Sequence, residues 1–532
     1  MYEFYSWLVV YIDGREISYE MISWVLILIA LVGYSSCYAL SASSSQKVQS
    51  VTSKERGGIV VISQKGNTRV IFSFDEPIRL TDEKSKFSTE LIPDISRIKY
   101  ALQTTFLPTV ATDAKSNFSK LSRMRYIDFI IYDNVQDLVN SLRSILAKHR
   151  VLEAVGVGRV GATALSATLN FIGRDICGIL SSLLFTSFAA TSFRRDIKKW
   201  KFFSIIMLDV GLSCQVLASS LSTKWFLPIL CLGSICEAMH NVASGPCGSV
   251  IKLHWAVKLL GSEDGIAEIS AKRRALRTLI DLVGLVMANI LVRSVDGIKS
   301  KALVAVMYLG LSFIHLISNQ KSLQLVALDW LNGWRLDQAV QDFLQSNERG
   351  TGSEQVTVRS PEEMSRTEPL LFFSGRTDHH TIIRMGISLN ELVRLSLEPL
   401  SVLQLSLKKQ LERDNDAYIL SPGLSHDKPV IAISFFQNTT NKCMAKAYLH
   451  GCLLGRTLLS VTRSSGRSLG DDKSCEEIEK AKDIAEKKLK RLWPLFERCT
   501  FDAGWKLDKT ESYSEGYKLG LKKCSDPNDR TI

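Results

Sequence analysis

Two sets of residues in this chain have types and spacing that invite a chemical reading. Gly156, Gly158 and Gly161 form a literal G-x-G-x-x-G, written Gly156-Val157-Gly158-Arg159-Val160-Gly161. In a dinucleotide-binding unit such glycines admit a pyrophosphate at a helix N-terminus, and an acid placed like Asp175 holds a ribose hydroxyl. That unit also needs a second strand after its helix, whereas 176–193 (ICGILSSLLFTSFAATSF) reads as another long helix. The glycines therefore read as a helix-packing surface inside a stretch, Val155 to Gly173, rich in Gly, Ala, Ser and Thr.

The second set consists of polar residues set into apolar sequence: Asn170, Arg174, Asp175, Asp209, Glu237, His240, Asn241, His254 and His315. Ionisable groups in such places are expensive, so they pair with one another or line a cavity. Two readings stand side by side: helix-end pairs with buried hydrogen bonds, or a ligand or transport site. Asn170, Arg174, Asp175, Asp209 and His254 make up the candidate site. Asp378-His379-His380 is the nearest approach to a metal-ligand cluster, in a polar loop where solvation is the ordinary fate, so no metal is expected. The chain has no G-x-x-x-x-G-K phosphate loop and no H-E-x-x-H.

The elements that must position these residues are apolar runs of uneven length. Met21 to Gln46 is uncharged and contains WVLILIALVGY, long enough to cross a bilayer. It reads as a retained anchor or as a signal peptide, with Ala39-Leu40-Ser41 as a cleavage site; the missing basic n-region speaks against the second. From Val151 to Asn319 the sequence is mostly apolar, with uncharged runs at 160–173, 176–193, 210–223, 238–251, 282–292 and 302–320. A run of fourteen residues reaches only about 21 Å against an apolar slab of about 30 Å. Only 176–193 and 302–320 could span without carrying charge into lipid. Basic clusters lie at 194–201, 252–277 and 293–301. If all three face one side, Leu279 to Val292 must be re-entrant or peripheral rather than crossing.

Composition bounds the rest. The 532 residues imply two or more folded units, and 46% hydrophobic against 23% charged excludes a wholly disordered chain. The balance of 66 Lys+Arg against 54 Asp+Glu, +12 overall, favours acidic surfaces such as anionic lipid headgroups. Nucleic acid is not expected, because the basic residues cluster between apolar runs without interleaved aromatics. Eleven cysteines without a C-x-x-C pair read as buried reduced thiols, not as a disulfide framework or zinc module.

Residues 47–86 form a polar connector with a hairpin, Ile59 to Ser63 and Thr68 to Phe74 around Gly66-Asn67. Residues 345–368 are a polar linker, and 369–532 a small α/β domain. In that domain Ala417–Leu420, Val430–Phe436 and Trp505–Tyr513 read as strands. Asn441 to Val461 reads as a helix, and a second helix is capped by Ser474 with Glu477 and runs until Pro494. The fold class is mainly α: an N-terminal hydrophobic region (1–46), a helical membrane-associated core (87–344) and the smaller C-terminal α/β domain.

Motifs in order along the chain resemble the root UVB sensitive family. Val155-Gly156-Val157-Gly158, Ala162-Thr163-Ala164, Thr168-Leu169-Asn170 and Arg174-Asp175 resemble its glycine-rich signature. Trp200, Asp209, His254, Ser270-Ala271-Lys272 and Gly284-Leu285 follow. His315-Leu316 with Asn319 is similar to a His-Leu-Tyr-x-Asn-Tyr helix, although Ile317 and Gln320 replace its tyrosines. Ser360-Pro361-Glu362-Glu363 with Glu368-Pro369-Leu370, then Ala447-Tyr448-Leu449-His450 and Gly504-Trp505, complete the series. Phe106 to Val110 is a degraded form of the family's proline-glycine segment, and Arg273-Arg274-Ala275-Leu276 replaces its acidic, glycine and glutamine positions.

The resemblance implies a membrane-associated scaffold, binder or transporter-like factor linked to UV-B response, development and vitamin B6 homoeostasis, with no established catalytic activity. No cofactor is evident in the residues themselves. The alternative is an enzyme or cofactor-binding protein using the glycine-rich segment 156–161 or a vitamin B6 form. The expected partners are a lipid membrane and, by resemblance, another family member or a second copy of this chain. The resemblance admits a plastid or another organelle as the compartment.

Overall fold

The computed structural model describes residues 61–65, 68–72, 117–155, 164–296, 301–349, 357–372, 382–398, 418–425, 428–437, 439–465, 474–511 and 518–519, with a few single positions besides. The anchor or signal region 1–46, the glycines Gly156, Gly158 and Gly161 and the Asp378-His379-His380 triplet all lie outside the described residues. The chain divides into two compact units, Met1–Thr109 and Val110–Ile532. In the first, β1 (Val61–Lys65) and β2 (Thr68–Phe72) pair antiparallel with Lys65 opposite Thr68, the register of a hairpin.

The second unit begins with six helices: α1 (Asn117–Val155), α2 (Ala164–Ala189), α3 (Ile197–Ala218), α4 (Thr223–Leu260), α5 (Ile266–Asp296) and α6 (Lys301–Leu325). They run through the charges that interrupt the apolar sequence. Arg174 and Asp175 lie inside α2, and Leu279 to Val292 is the C-terminal part of α5, not a re-entrant piece. At 31 residues α5 is about 46 Å long. α4 carries Pro228 and Pro246 within its length and ends at Gly261, whose φ of 73° terminates it in the left-handed conformation.

Small residues let these helices approach. Gly211 on α3 faces Gly233 on α4, and a Cβ on either would stand 2.9 Å from the other's carbonyl oxygen. Among the described residues, four helical segments are long and apolar enough to cross a membrane: Thr168–Ser192, Ile197–Ala218, Lys224–Leu260 and Glu263–Arg293. The outward faces of α2, α5 and α6 are apolar. Leu183 and Phe188 on α2 are 65% and 79% exposed, and Leu282, Leu285, Val306, Leu309 and Phe313 on α5 and α6 are exposed too. This belt is too large to be scattered surface hydrophobes.

The remainder of the unit is an α/β domain. Its elements are β3 (Trp330–Asn332), α7 (Gly333–Arg349), α8 (Pro361–Thr367), β4 (Ile382–Met385), α9 (Leu389–Leu395), β5 (Tyr418–Ser425), β6 (Lys428–Phe436), α10 (Asn441–Ser465), α11 (Ser474–Asp502), β7 (Lys506–Glu511) and β8 (Lys518–Leu519). β6 is central, parallel to β4 and β8 and antiparallel to β5; β3 pairs separately with β7, in parallel.

α7, α10 and α11 bury one core with the sheet. Phe343, Ile433, Phe435, Leu454, Ala485 and Phe496 are all fully buried in it. α11 continues past Pro494 to Asp502 because Trp493 just before the proline and Phe496 and Cys499 beyond it pack into that core. α7 belongs by packing to this domain, although the polar sequence at its end reads as linker. α8 starts with a complete capping box, Ser360 with Glu363 and Pro361 in the first turn, and Met364 joins the same core. Arg359 ties the segment to α7 through a bidentate pair with Asp342, 2.7 and 3.0 Å.

Candidate functional site

α1 brings to the middle of the bundle a charge that the apolar runs do not contain. Arg143 sits on the apolar stripe of α1 formed by Val139, Leu142, Leu146 and Ala147, and it is completely buried. Its Nη2 lies 2.7 Å from Asp209 Oδ1 on α3 and 3.0 Å from His315 Nδ1 on α6. His315 Nδ1 is in turn 2.8 Å from the same Asp209 oxygen. Arg143 Nη1 donates to Ser312 Oγ at 3.0 Å, and its guanidinium stands 6.0 Å from the Tyr308 ring centroid.

Each member comes from a different helix, and each helix is held by apolar neighbours. Leu146, Ala147, Leu212, Val304 and Tyr308 pack next to the charges. Asp209 Oδ1 is held by its two close contacts with Arg143 and His315, whereas Arg143 Nε, Asp209 Oδ2 and His315 Nε2 remain without a hydrogen bond. With Nδ1–H assigned as donor to Asp209, the tautomer that satisfies the closest contact, Nε2 is a buried acceptor. Farther along the α1–α6 seam, Asn319 Nδ2 donates to Gln136 Oε1 at 2.9 Å while Asn319 Oδ1 has no hydrogen bond. Buried polar atoms without partners are rare in folded proteins, so a donor and two acceptors around one ion pair single this set out as the candidate site.

A second charged set stands where the bundle meets the α/β domain, and it is fully satisfied. Glu368 accepts from Lys198 Nζ at 2.9 Å, Arg335 Nη2 at 2.9 Å and Asn332 Nδ2 at 3.2 Å. Lys198 also donates to Ser365 Oγ at 2.7 Å, and Arg335 Nη1 to the Trp330 carbonyl at 2.9 Å. Burial opposes ionisation of Glu368, yet Arg335 and Lys198 outweigh it and hold the carboxyl down at about 2. Two cations on one carboxylate make this a lock between domains.

The five candidate residues fall in three places. Asp209 is in the central set. His254 is buried at the domain junction, edge-on to Trp255 with ring centroids 5.3 Å apart, and Lys258, Asp329, Lys198 and Arg335 are its charged surroundings. Arg174 and Asp175 pair with each other on α2, Nη2 to Oδ1 2.8 Å, with the Asp175 carboxylate 59% exposed; Asn170 lies one turn before them. Glu237 on α4 feels their charge and accepts a 2.5 Å hydrogen bond from Gln215.

Sequence reasoning picked out Asp209 and His315 but not Arg143 or Arg335, and it quoted Glu368 only within a motif. A charged residue centred on an apolar helical stripe was the available signal for Arg143. Among the described residues, no group of three or more His, Cys, Asp or Glu could hold a metal ion.

Two family models match nearly all of the second unit. One, described as a vitamin B6 photo-protection and homoeostasis domain, covers residues 99–347, and the other, described as the C-terminal part of root UVB sensitive protein, covers 357–513. The chain belongs to the root UVB sensitive family. It is 26% identical to protein root UVB sensitive 3 of Arabidopsis thaliana over 71% of this chain and 82% of that one. It is 27% identical to RUS family member 1 of Dictyostelium discoideum over 50% of this chain and 47% of that one. Protein root UVB sensitive 5 of Arabidopsis thaliana is 22% identical over 64% of this chain and 66% of its own length. No solved structure matches.

The first root UVB sensitive domain ends inside α7, a helix that packs on the second. All three members of the central charged set fall within the first domain. Arg273, also within that domain, pairs with Asp133 and donates to Asn134 Oδ1 at 3.2 Å.

Proposed function

We propose that this protein is a membrane-embedded, non-enzymatic binding or transporter-like factor in vitamin B6 homoeostasis. Its ligand-contacting centre is Arg143, Asp209 and His315, with Asn319 beside them. One observation carries the reading: a buried ion pair and imidazole keep unpartnered polar atoms at the centre of helices whose outer faces are apolar. Ionisable groups inside membrane helices concentrate at ligand and ion pathways because their cost is otherwise uncompensated. A guanidinium with a free Nε–H suits an anionic oxygen, and His315 Nε2 suits a hydroxyl or ring N–H, donors and acceptors that the vitamin B6 forms supply. The family description supports the vitamin class, and the unpartnered polar atoms support this set as its place.

The test is equilibrium binding of pyridoxal 5′-phosphate, pyridoxal and pyridoxine to the purified full chain in nanodiscs. Saturable binding is expected for at least one form, weakened tenfold or more in Arg143→Gln and Asp209→Asn. Leu146→Ala, which loosens the same layer without removing a polar atom, should bind like the native chain. No saturable binding, or equal loss in all three variants, contradicts the proposal.

A further inference from the structure

Both ends of the helical bundle carry exposed basic residues, and among the described residues the domain end joins them to a cluster of aromatic rings. α1 begins, α4 ends and α6 ends against the α/β domain: Arg125 and Lys258 reach Glu362 at 3.4 and 3.9 Å, and Ser365 Oγ donates to the Gln324 and Val326 carbonyls at 2.8 and 3.0 Å. α3 starts there too, through Lys198. The opposite end is closed by Val151, Ala218, Phe226 and Leu230.

On three helices the exposed surface changes from apolar to basic on approaching the domain end. Exposed Phe188 on α2 gives way to Arg194 in the turn that follows. Exposed Leu282 on α5 is preceded by Arg277 and Arg274, and exposed Ile317 on α6 is followed one turn later by Lys321. At the same level Trp200 meets Phe193, Phe203 and Phe372 edge-on, with centroids 5.1, 5.5 and 4.9 Å apart. Phe372 arrives from the segment that leaves α8, and it and Leu371 are partly exposed. Apolar belt, aromatic layer and basic rim follow one another in the order that hydrocarbon, interface and anionic headgroups require.

We propose that this end of the bundle docks on the anionic phospholipid headgroups of one leaflet, with Trp200 and Phe372 at headgroup level. The α/β domain then stands against that leaflet, on the side to which the basic rim faces. This rests on the membrane reading above and adds the lipid class, the leaflet and the residues that contact it.

The purified full chain is reconstituted in nanodiscs of phosphatidylcholine, with and without phosphatidylglycerol, and its thermal midpoint is measured at low and high salt. The native chain should melt a few degrees higher in the anionic discs at low salt, and the gain should shrink at high salt. Arg194→Gln/Arg274→Gln/Lys321→Gln should remove the gain. Lys148→Gln/Lys224→Gln/Arg293→Gln, which neutralises exposed basic residues toward the other end, should keep it. An absent gain in the native chain, or equal loss in both triple variants, overturns the proposal. A chain that stays monodisperse in buffer without detergent or discs overturns the membrane reading itself, a separate outcome from the lipid preference.

Discussion

α2 and α11 are long helices of the same unit built on opposite plans. On α2, Leu183 and Phe188 face outward, and none of the apolar window in 168–192 is buried. On α11, Ile478, Ala481, Ala485, Leu489 and Phe496 turn inward, while Lys480, Glu486 and Lys490 face water. The inversion extends to whole regions. The α/β domain hides Phe343, Phe435 and Phe496 in its core and keeps the charges of α11 outside; the bundle exposes leucines and phenylalanines and hides Arg143, Asp209, His315 and Asn319. The inversion is compatible with a membrane around the bundle, and the Lys198–Glu368–Arg335 set lies where the two plans meet.

The contrast can be broken by exchanging what each region should tolerate. Phe496→Ala removes a fully buried ring that meets Phe343 edge-on at 5.2 Å, so it should cost about 3–5 kcal/mol of stability. Phe188→Ala removes an equally large ring that is 79% exposed, and in discs it should shift stability by less than about 0.5 kcal/mol. Thermal and denaturant unfolding of the two variants reads the difference; similar losses would mean that α2 is covered by protein instead of lipid.

Acid titration sharpens the comparison at the seam. The Glu368 carboxyl ionises at about 2 when folded against 4.5 when free, so its contribution is fully present above pH 4.5 and is lost as pH falls toward 2. The full loss is roughly 3 kcal/mol. Glu368→Gln should flatten this acid limb while leaving neutral-pH unfolding of a weakened interface to be read separately; an unchanged acid limb would remove Glu368 from the lock.

Legibility followed the same division. In the α/β domain the pattern is that of a water-soluble fold, so β6 and the starts of α10 and α11 lay close to where apolar periodicity and the Ser474 cap placed them. Pro494 misled, because tertiary packing of Trp493 and Phe496 carries α11 across it. In the bundle, charge was read as interruption. Arg174–Asp175 and Lys201, which donates to Ser244 Oγ at 2.7 Å, satisfy their charges inside continuous helices, so uncharged runs understate helix length. The central site was half visible for the same reason. Asp209 and His315 stand out against apolar neighbours, whereas Arg143 lies in a helix with charges along its length, where only its place on the apolar stripe sets it apart. No sequence spacing links Lys198 to Glu368 and Arg335, since their contact is made only when the domain docks.

The central claim is that residues 164–325, not only the N-terminal apolar segment, hold the protein in a membrane. Alkaline carbonate extraction of a C-terminally tagged chain lacking residues 1–46 tests it most directly. The account predicts that the truncated chain stays in the membrane pellet with the full-length control; release into the supernatant would contradict it and make the exposed belt a protein-covered surface.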